Sequence, residues 1–268
     1  MGAIGDTKGG IRRRKLFELL KTRGKLSIAE AAEALNCSIA TARRDIELLE
    51  RSGSAIRTPG GVRIEGGLGA RELPFHEKSG LLFREKAAIA QKAASLVEEG
   101  DIVGLTGGST TFMIARELKA LQRRITVVTN AVNIAADLAD SEEIQVVVTG
   151  GVMRSKSFEL CGPLAEKTLE GLNLTKMFLG VDGFTLDRGF TTYSETEARV
   201  NQLLMERAQT TFAVFDHTKY GKVSLFPIAG TGEVDGIITN QSLPSNVEEA
   251  LRGIGKPRWY TAEAEGEL

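Results

Sequence analysis

The sequence has few cysteines and histidines, the usual ligands of a structural zinc ion. Its 268 residues include two cysteines, Cys37 and Cys161, and two histidines, His76 and His217. All four lie far apart along the chain, so they do not form the closely spaced pattern of a structural zinc site. Two isolated thiols fit a reducing compartment, where a buried cysteine is a small apolar residue. We therefore expect no metal site.

Long apolar runs are also missing. No uninterrupted run approaches the roughly 20 apolar residues that cross a bilayer, and the basic N-terminus is not followed by the apolar segment of a signal peptide. Hydrophobic residues make up 42% and charged residues 26% of the chain, as in soluble globular proteins. We expect a cytoplasmic protein of one or two domains that does not bind membranes.

Charge is distributed unevenly along the chain. Residues 11–66 contain 12 Lys/Arg and 7 Asp/Glu, a net charge of +5, although the whole chain carries −1. Residues 1–10 are balanced, so the remaining residues carry −6. A basic N-terminal block followed by an acidic body is typical of a polyanion-binding module joined to a second domain.

The basic block contains three predicted helices and a hairpin. Apolar spacing predicts helices over 12–23, 28–35 and 39–51, and the second opens with the Ser-x-x-Glu pattern of a capping box. About three residues join the second helix to the third, which is a helix-turn-helix pattern. The following AIRT-PGG-VRI (55–64) predicts a two-stranded wing.

In this arrangement the third helix lies in the major groove of DNA. The planar guanidinium of arginine pairs with guanine edges or with phosphates. A single exposed arginine is usually only solvated, but here the cap, the spacing, the wing and the basic charge occur together and favour DNA binding. We expect DNA contacts from Ser38, Thr41, Arg43, Arg44, Arg57 and Arg63.

The rest of the chain alternates short apolar strands with amphipathic helices. Strands are predicted at 101–105, 125–129, 144–149, 177–181, 211–215 and 236–239, and helices at 84–97, 110–121, 133–138, 164–172 and 196–208. This alternation is typical of an α/β domain with a largely parallel sheet. We therefore predict a winged helix-turn-helix domain over 11–66, a linker over 67–83 and an α/β domain over 84–260.

Polar residues follow most of these strands. They form the segments 106–111, 129–130, 149–151, 182–183 and 216–219. Ligands of parallel sheets bind beyond the carboxyl ends of the strands. A single glycine there is usually a turn residue, but five polar segments together predict a polar cleft.

GLTGGSTT (104–111) is the best candidate for an anion site. Its glycines let the backbone approach a ligand, and its hydroxyl residues stand where the next helix begins, a position that favours anions. We expect phosphate contacts from Gly107, Gly108, Ser109, Thr110 and Thr111. Neither Gly-Lys-Ser/Thr nor G-x-G-x-x-G follows a strand, so no nucleotide cofactor is indicated.

Both halves of the chain resemble the DeoR family of bacterial transcription regulators. The matching segments are S-x-x-T-x-R-R-D-I-x-x-L-E (38–50), R-x-x-G-G (57–61), EKAAIA (85–90), GLTGGSTT (104–111), VVTNAVNIA (127–135), VTGGVMR (148–154), FLGVDGF (178–184) and D-x-x-K (216–219). The chain departs from the family at Ala42, where a bulkier β-branched residue is usual, at Thr106, where many members have Asp, and at Asn240, where an acid often stands.

The resemblance implies a function and a set of contacts. The second domain would be similar in fold to ribose-5-phosphate isomerase and would sense a phosphorylated sugar or related metabolite. The chain would bind double-stranded operator DNA as a homo-oligomer, a dimer or tetramer, and repress genes of carbohydrate metabolism. Asp182, Glu195 and Lys219 would contact the sugar, and Asn130 and Arg154 would line the cleft.

The similarity to an isomerase raises the alternative that the chain is an enzyme. Proton abstraction beside a carbonyl needs a base and a nearby acid or cation, and Asp182, Glu195 and Lys219 are suitable types. The isomerase groups its acids as D-G-x-D-E, whereas here Asp182-Gly183 leads into Phe184. An isomerase would also leave a DNA-binding domain unexplained. We predict a regulator that is not an enzyme and needs no cofactor; an oligomerising scaffold has no supporting feature.

Replacing Arg43 by alanine tests the assignment of the third helix. We expect Arg43→Ala to abolish operator binding in mobility-shift assays, because it removes a contact to base edges or phosphates. Thermal stabilisation by a phosphorylated sugar should be unchanged. If both responses were lost, Arg43 would instead be a structural residue.

Overall fold

The computed structural model describes residues 8–23, 25–51, 55–63, 72–242 and 245–262. The chain divides into two units, Met1–Ala70 and Arg71–Leu268.

The first unit has the helices and wing that its apolar spacing predicts. Its elements are α1 (Lys8–Arg23), β1 (Lys25–Ser27), α2 (Ile28–Ala34), α3 (Ile39–Arg51), β2 (Ile56–Thr58) and β3 (Gly61–Arg63). The antiparallel sheet has the order β1-β3-β2, and β1 is a short strand that the sequence pattern did not predict. Ser27 and Glu30 form the predicted capping box at the start of α2. A small core of aliphatic side chains, including Leu16, Leu20 and Ile46, joins the helices.

An ion pair connects α1 to α3 beside this core. Asp45 of α3 is only 2% exposed. It accepts hydrogen bonds from Arg12 Nε and, at 3.2 Å, from Arg12 Nη2, and Arg13 Nη1 lies 3.6 Å away. The buried carboxylate is therefore compensated by cations from the other helix, which fixes the position of α3.

The second unit alternates helices and strands, as predicted. Its elements are α4 (Phe75–Ser79), α5 (Phe83–Ser95), β4 (Ile102–Leu105), α6 (Ser109–Ala120), β5 (Ile125–Thr129), α7 (Val132–Leu138), β6 (Ile144–Val148), β7 (Val152–Arg154), β8 (Glu159–Cys161), α8 (Pro163–Leu169), β9 (Leu174–Gly180), β10 (Gly183–Thr185), β11 (Gly189–Thr192), α9 (Glu195–Glu206), β12 (Ala208–Val214), β13 (Phe226–Ala229), β14 (Gly236–Thr239), α10 (Ser245–Ile254) and β15 (Arg258–Thr261).

A parallel sheet forms the centre of this unit. Seven strands in the order β15-β14-β12-β9-β4-β5-β6 pair in parallel throughout. Two smaller antiparallel sheets, β10-β11-β13 and the β7-β8 hairpin, lie outside it in the strand order. The predicted α/β class with a parallel sheet is confirmed.

Apolar side chains cover both faces of the central sheet. Alternate residues of each strand enter different cores: Leu105 and Phe178 pack with α5, α6 and α7, whereas Met177 and Leu179 pack with α8 and α9. Strands buried on both faces explain the nearly continuous apolar runs of the sequence. The helices fix the strands, so the carboxyl ends of the strands form a rigid edge for a site.

The expected linker differs from the structure. Residues 67–71 lie outside the described residues, but 72–83 belong to the second unit and include α4. The Phe75 ring packs against Phe112 and Phe158, with ring centroids 5.5 and 5.7 Å away, and its backbone N–H donates to the Lys156 carbonyl at 2.7 Å. A five-residue helix is too short to show apolar periodicity, so composition alone indicated a linker.

The pair between α1 and α3 can be tested by substitution. We expect Asp45→Ala to destabilise the first unit by about 1–3 kcal/mol, because the arginines lose their buried partner. Hydrogen exchange of the α1 and α3 peptides in the full chain measures this change. Glu50→Ala, at an exposed position of the same helix, is the control. Exchange in Asp45→Ala equal to that of the control would contradict the role of the pair.

Candidate functional site

The segment Thr106–Thr111, which we call the cradle, consists of the turn after β4 and the first residues of α6. Gly108 has a φ of 136°, a conformation that suits glycine, and no side chain caps the N-terminus of α6. The first backbone N–H groups of a helix have no partner within the helix and favour an anion. The Thr111 hydroxyl donates to the Gly108 carbonyl at 3.0 Å and so holds the turn. The cradle therefore has the geometry expected of an anion site.

Glu159 of β8 lies directly against the cradle. It is 1% exposed, and its Oε1 accepts a hydrogen bond from the Gly107 N–H at 3.2 Å. A Cβ on Gly107 would lie 2.2 Å from the Glu159 Cγ, so only glycine leaves room for this carboxylate. Asn130 Nδ2 lies 3.5 Å from the same oxygen, whereas Asn130 Oδ1 is buried without a hydrogen-bond partner among the described residues. An acceptor at this place suits a donor from a ligand.

Asp182 stands after β9 and binds two lysines. Its Oδ1 accepts from Lys78 Nζ at 2.8 Å and lies 3.8 Å from Lys219 Nζ, and its Oδ2 lies 3.3 Å from the Thr192 hydroxyl oxygen. Burial opposes ionisation of Asp182, but the lysines outweigh it and lower its pKa. Asp182 is therefore an ionised hydrogen-bond acceptor.

Arg154 of β7 is surrounded by carboxylates. Its Nη2 donates to both oxygens of Glu72 at 2.8 and 3.0 Å, and its Nη1 donates to Glu197 Oε2 at 2.5 Å. Glu159 Oε2 lies 3.9 Å from the same Nη1. Arg154 thus joins the segment before α4, the β7-β8 hairpin and α9.

Helix α9 contributes Glu197 to the cleft. The sequence had predicted Glu195 instead, so this prediction is corrected. Glu195 is exposed, whereas Glu197 is 8% exposed and accepts from the Thr192 hydroxyl at 2.8 Å. Ser194 caps α9, and residues two apart on a helix point in nearly opposite directions, so only one of the two acids faces the cleft. Sequence order alone did not show which one.

The residues around Asp182 and Arg154 form one charge cluster. Its members are four carboxylates and three cations: Glu72, Glu159, Asp182, Glu197, Lys78, Arg154 and Lys219. Burial first, and the neighbouring carboxylates second, raise the pKa of Glu197 well above its ordinary value. Burial also raises the pKa of Glu159. The excess of carboxylates over cations thus favours the protonated forms of Glu197 and Glu159.

Four members of the charge cluster had not been predicted as site residues. Glu72 and Lys78 lie in the expected linker, Glu159 lies in a three-residue strand, and Glu197 lies two residues after the predicted Glu195. The three residues of β8 are too few to show a periodic pattern in the sequence, although Glu159 and Cys161 are buried in the structure. No local pattern marks Glu72 or Lys78.

The predicted DNA-contacting residues lie on α3 and the wing. Ser38 caps α3, accepting from the Thr41 N–H at 3.2 Å, and the two hydroxyl oxygens are 2.8 Å apart. Arg43 and Arg44 are exposed on the first two turns of α3. In the wing, Arg57 lies on β2, where its Nη1 is 3.4 Å from Glu47 Oε1, and Arg63 ends β3 and is partly exposed. All six stay predictions for DNA contact.

The described residues contain neither a membrane-spanning helix nor a metal-binding cluster. None of their helices combines the length and apolar character of a membrane span. They also contain no group of three or more His, Cys, Asp and Glu side chains placed to hold a metal ion.

Protonation of Glu197 makes stability depend on pH. Folding raises the pKa of Glu197 above its ordinary value of 4.5, so above pH 4.5 the folded state binds more protons at this residue than the unfolded state does. The contribution of Glu197 to the free energy of unfolding therefore falls as pH rises through this range. We expect Glu197→Gln, measured by urea unfolding of the full chain, to gain stability relative to wild type as pH rises from 4.5. The exposed Glu195→Gln is the control. Parallel pH curves for Glu197→Gln and wild type would contradict the raised pKa.

Comparison with known proteins identifies the family. Residues 12–65 match the DeoR-like helix-turn-helix domain, and residues 83–241 match the DeoR C terminal sensor domain. The chain is 33% identical over 245 residues to a putative aga operon transcriptional repressor of Escherichia coli O157:H7, covering 91% of each protein. It is also 33% identical to the lactose phosphotransferase system repressor of Lactococcus lactis subsp. lactis, covering 88% of this chain and 92% of that protein.

Among solved structures, ribose 5-phosphate isomerase A from Methanocaldococcus jannaschii matches 50% of this chain and 53% of its own, with 17% identity and a TM-score of 0.39. The two family domains together span most of the chain, from the helices of the first unit to the end of β14. The chain belongs to the DeoR family of helix-turn-helix transcriptional regulators.

Proposed function

We propose that this regulator represses genes of carbohydrate metabolism and that a phosphorylated sugar or related metabolite lowers its affinity for operator DNA. The relatives named as repressors of the aga operon and of the lactose phosphotransferase system support this proposal.

The observation that carries the effector proposal is the contact between the cradle and the charge cluster. Glu159 accepts from the Gly107 N–H and also lies beside Arg154, so the anion site and the cluster are adjacent. A phosphate at the N-terminus of α6 would place the rest of a sugar beside the carboxylates. Ionised Asp182, and Asn130 Oδ1, which has no hydrogen-bond partner in the part of the chain that the structure describes, are acceptors that suit sugar hydroxyls.

The same geometry favours a sensor over an enzyme. A general base works best with a pKa near the operating pH, but the pKa of Asp182 is lowered. Glu197 accepts hydrogen bonds at both oxygens, from Thr192 and Arg154. Neither carboxylate is therefore well placed to accept a proton from a substrate.

Operator binding would use paired copies of α3. Helix-turn-helix dimers contact half-sites about one turn of DNA apart, roughly 34–36 Å. We propose a homo-oligomer, a dimer or tetramer, in which effector binding weakens operator affinity by a coupling of about 1–3 kcal/mol.

The test uses two glycine variants of the full chain. Thermal shifts are measured with a panel of hexose and pentose phosphates and, for each, the unphosphorylated sugar. We expect at least one phosphate ester to stabilise wild type, and Gly107→Ala to lose that shift because its Cβ would displace Glu159. Gly171→Ala is the control, since a Cβ there meets no atom within 4 Å.

Stabilising sugars are then added to the chain bound to a DNA duplex that the chain itself selects from a random pool. We expect the apparent Kd for DNA to rise by about 5- to 150-fold. Unchanged DNA affinity would contradict the effector proposal. An isomerised product in the same mixture would favour the enzyme.

A further inference from the structure

The segment 72–82, which we call the strap, places its own side chains in the charge cluster. Glu72 binds Arg154 through both carboxylate oxygens, and Lys78 donates to Asp182 at 2.8 Å. Between them, Phe75 packs against Phe112 of α6 and against Phe158. Two ionic contacts, aromatic packing and the hydrogen bond from the Phe75 N–H to the Lys156 carbonyl thus hold the strap against the rest of the second unit.

The C-terminal end of the strap is held differently. Lys86 of α5 donates from Nζ to the Lys78 carbonyl at 2.5 Å and to the Leu81 carbonyl at 2.7 Å. These bonds are to backbone atoms and use no group of the charge cluster. Loss of the ionic contacts therefore leaves the N-terminal part of the strap with the ring contacts of Phe75 and the hydrogen bond from the Phe75 N–H to the Lys156 carbonyl. Lys86 keeps the turn at 78–81 in place.

A ligand of the proposed site would compete with the strap for the same atoms. Lys78 occupies Asp182 Oδ1, and Thr192 binds Oδ2, so a sugar hydroxyl that binds Asp182 meets Lys78. Glu72 occupies Nη2 of Arg154, so an anionic group that binds Arg154 meets Glu72. Displacement does not leave either group without a charge partner, because Asp182 keeps Lys219 and Arg154 keeps Glu197.

The strap also follows the DNA-binding unit along the chain. Only residues 64–71 separate Arg63, the last residue of β3, from Glu72. With the strap bound, the described chain is fixed to the second unit from Glu72 onward. When the ionic contacts are lost, Glu72 is no longer a fixed point, and the chain is held from Phe75 onward.

We propose that the strap is the element through which effector binding is transmitted to the DNA-binding unit, with the bound strap favouring operator binding. Ligand binding at Asp182 and Arg154 releases Lys78 and Glu72. The longer tether then lowers the effective concentration of the second recognition helix at its half-site. This inference rests on the proposed function for the identity of the ligand, but the behaviour of the strap can be tested without any ligand.

The experiment compares strap variants of the full chain in the absence of sugars. Lys78→Met and Glu72→Ala each remove one ionic contact, and Glu77→Ala alters an exposed position of the same short helix as a matched control. Hydrogen exchange of peptides within 72–82 reports release of the strap. Fluorescence anisotropy with the selected duplex reports DNA affinity.

We expect Lys78→Met and Glu72→Ala to speed exchange of the strap and to weaken DNA binding about threefold or more, because affinity falls with tether length. Glu77→Ala should change neither. Faster exchange with DNA affinity within about 1.5-fold of wild type would overturn the proposal. Unchanged exchange in both variants would also overturn it, because the ionic contacts would then not hold the strap.

Two variants are used so that the test still gives a result if one of them does not fold. If thermal melting shows that Lys78→Met does not fold, Glu72→Ala decides the result, because Arg154 keeps Glu197 and Glu159 as partners. Failure of every sugar phosphate to bind wild type would contradict the proposed function alone. It would leave the comparison of the ligand-free variants unaffected.

Discussion

The second unit depends on keeping buried charges compensated. Ionised groups are costly to bury unless each has a partner, and the charge cluster buries more carboxylates than cations. Its members come from separate elements: Asp182 follows β9, Arg154 ends β7, Glu197 lies in α9 and Lys78 in α4. Because the partners are shared, a change at one element alters the charge balance at the others. The cluster is therefore suited to connecting a ligand with distant parts of the unit.

Geometry and chemistry together favour sensing. The parallel sheet fixes the carboxyl ends of β4 and β9, and the cradle and Asp182 follow these strands. The cradle offers backbone N–H groups to an anion, and Asp182 offers an ionised acceptor beside it. What distinguishes this arrangement from a catalytic one is that Lys78 already satisfies that acceptor. In our proposal a ligand replaces this protein contact, and a ligand that binds one conformation better than another shifts the protein toward it.

Regular elements could be predicted from the sequence, and the site only in part. The third helix (39–51) and the strands 125–129 and 236–239 have the predicted bounds, because strong apolar periodicity or buried β-branched runs define them. The sequence predicted that Glu195 faces the cleft, whereas Glu197 does. Which of the two faces inward depends on where the Ser194 cap sets the start of the helix.

The strap is the clearest case that local sequence cannot predict. Its partners, Asp182 and Arg154, lie 104 and 82 residues away from Lys78 and Glu72. Nothing within the strap itself marks these side chains as ionic partners of a distant cleft. Such contacts become visible only when the fold brings the elements together.

The most direct test follows hydrogen exchange of wild type as a stabilising sugar phosphate is added. Competition between ligand and strap predicts opposite changes: slower exchange at the cradle and the first turn of α6, and faster exchange within 72–82. The unphosphorylated sugar should produce neither change. Slower exchange in both regions, or an unchanged strap at saturation, would contradict the account.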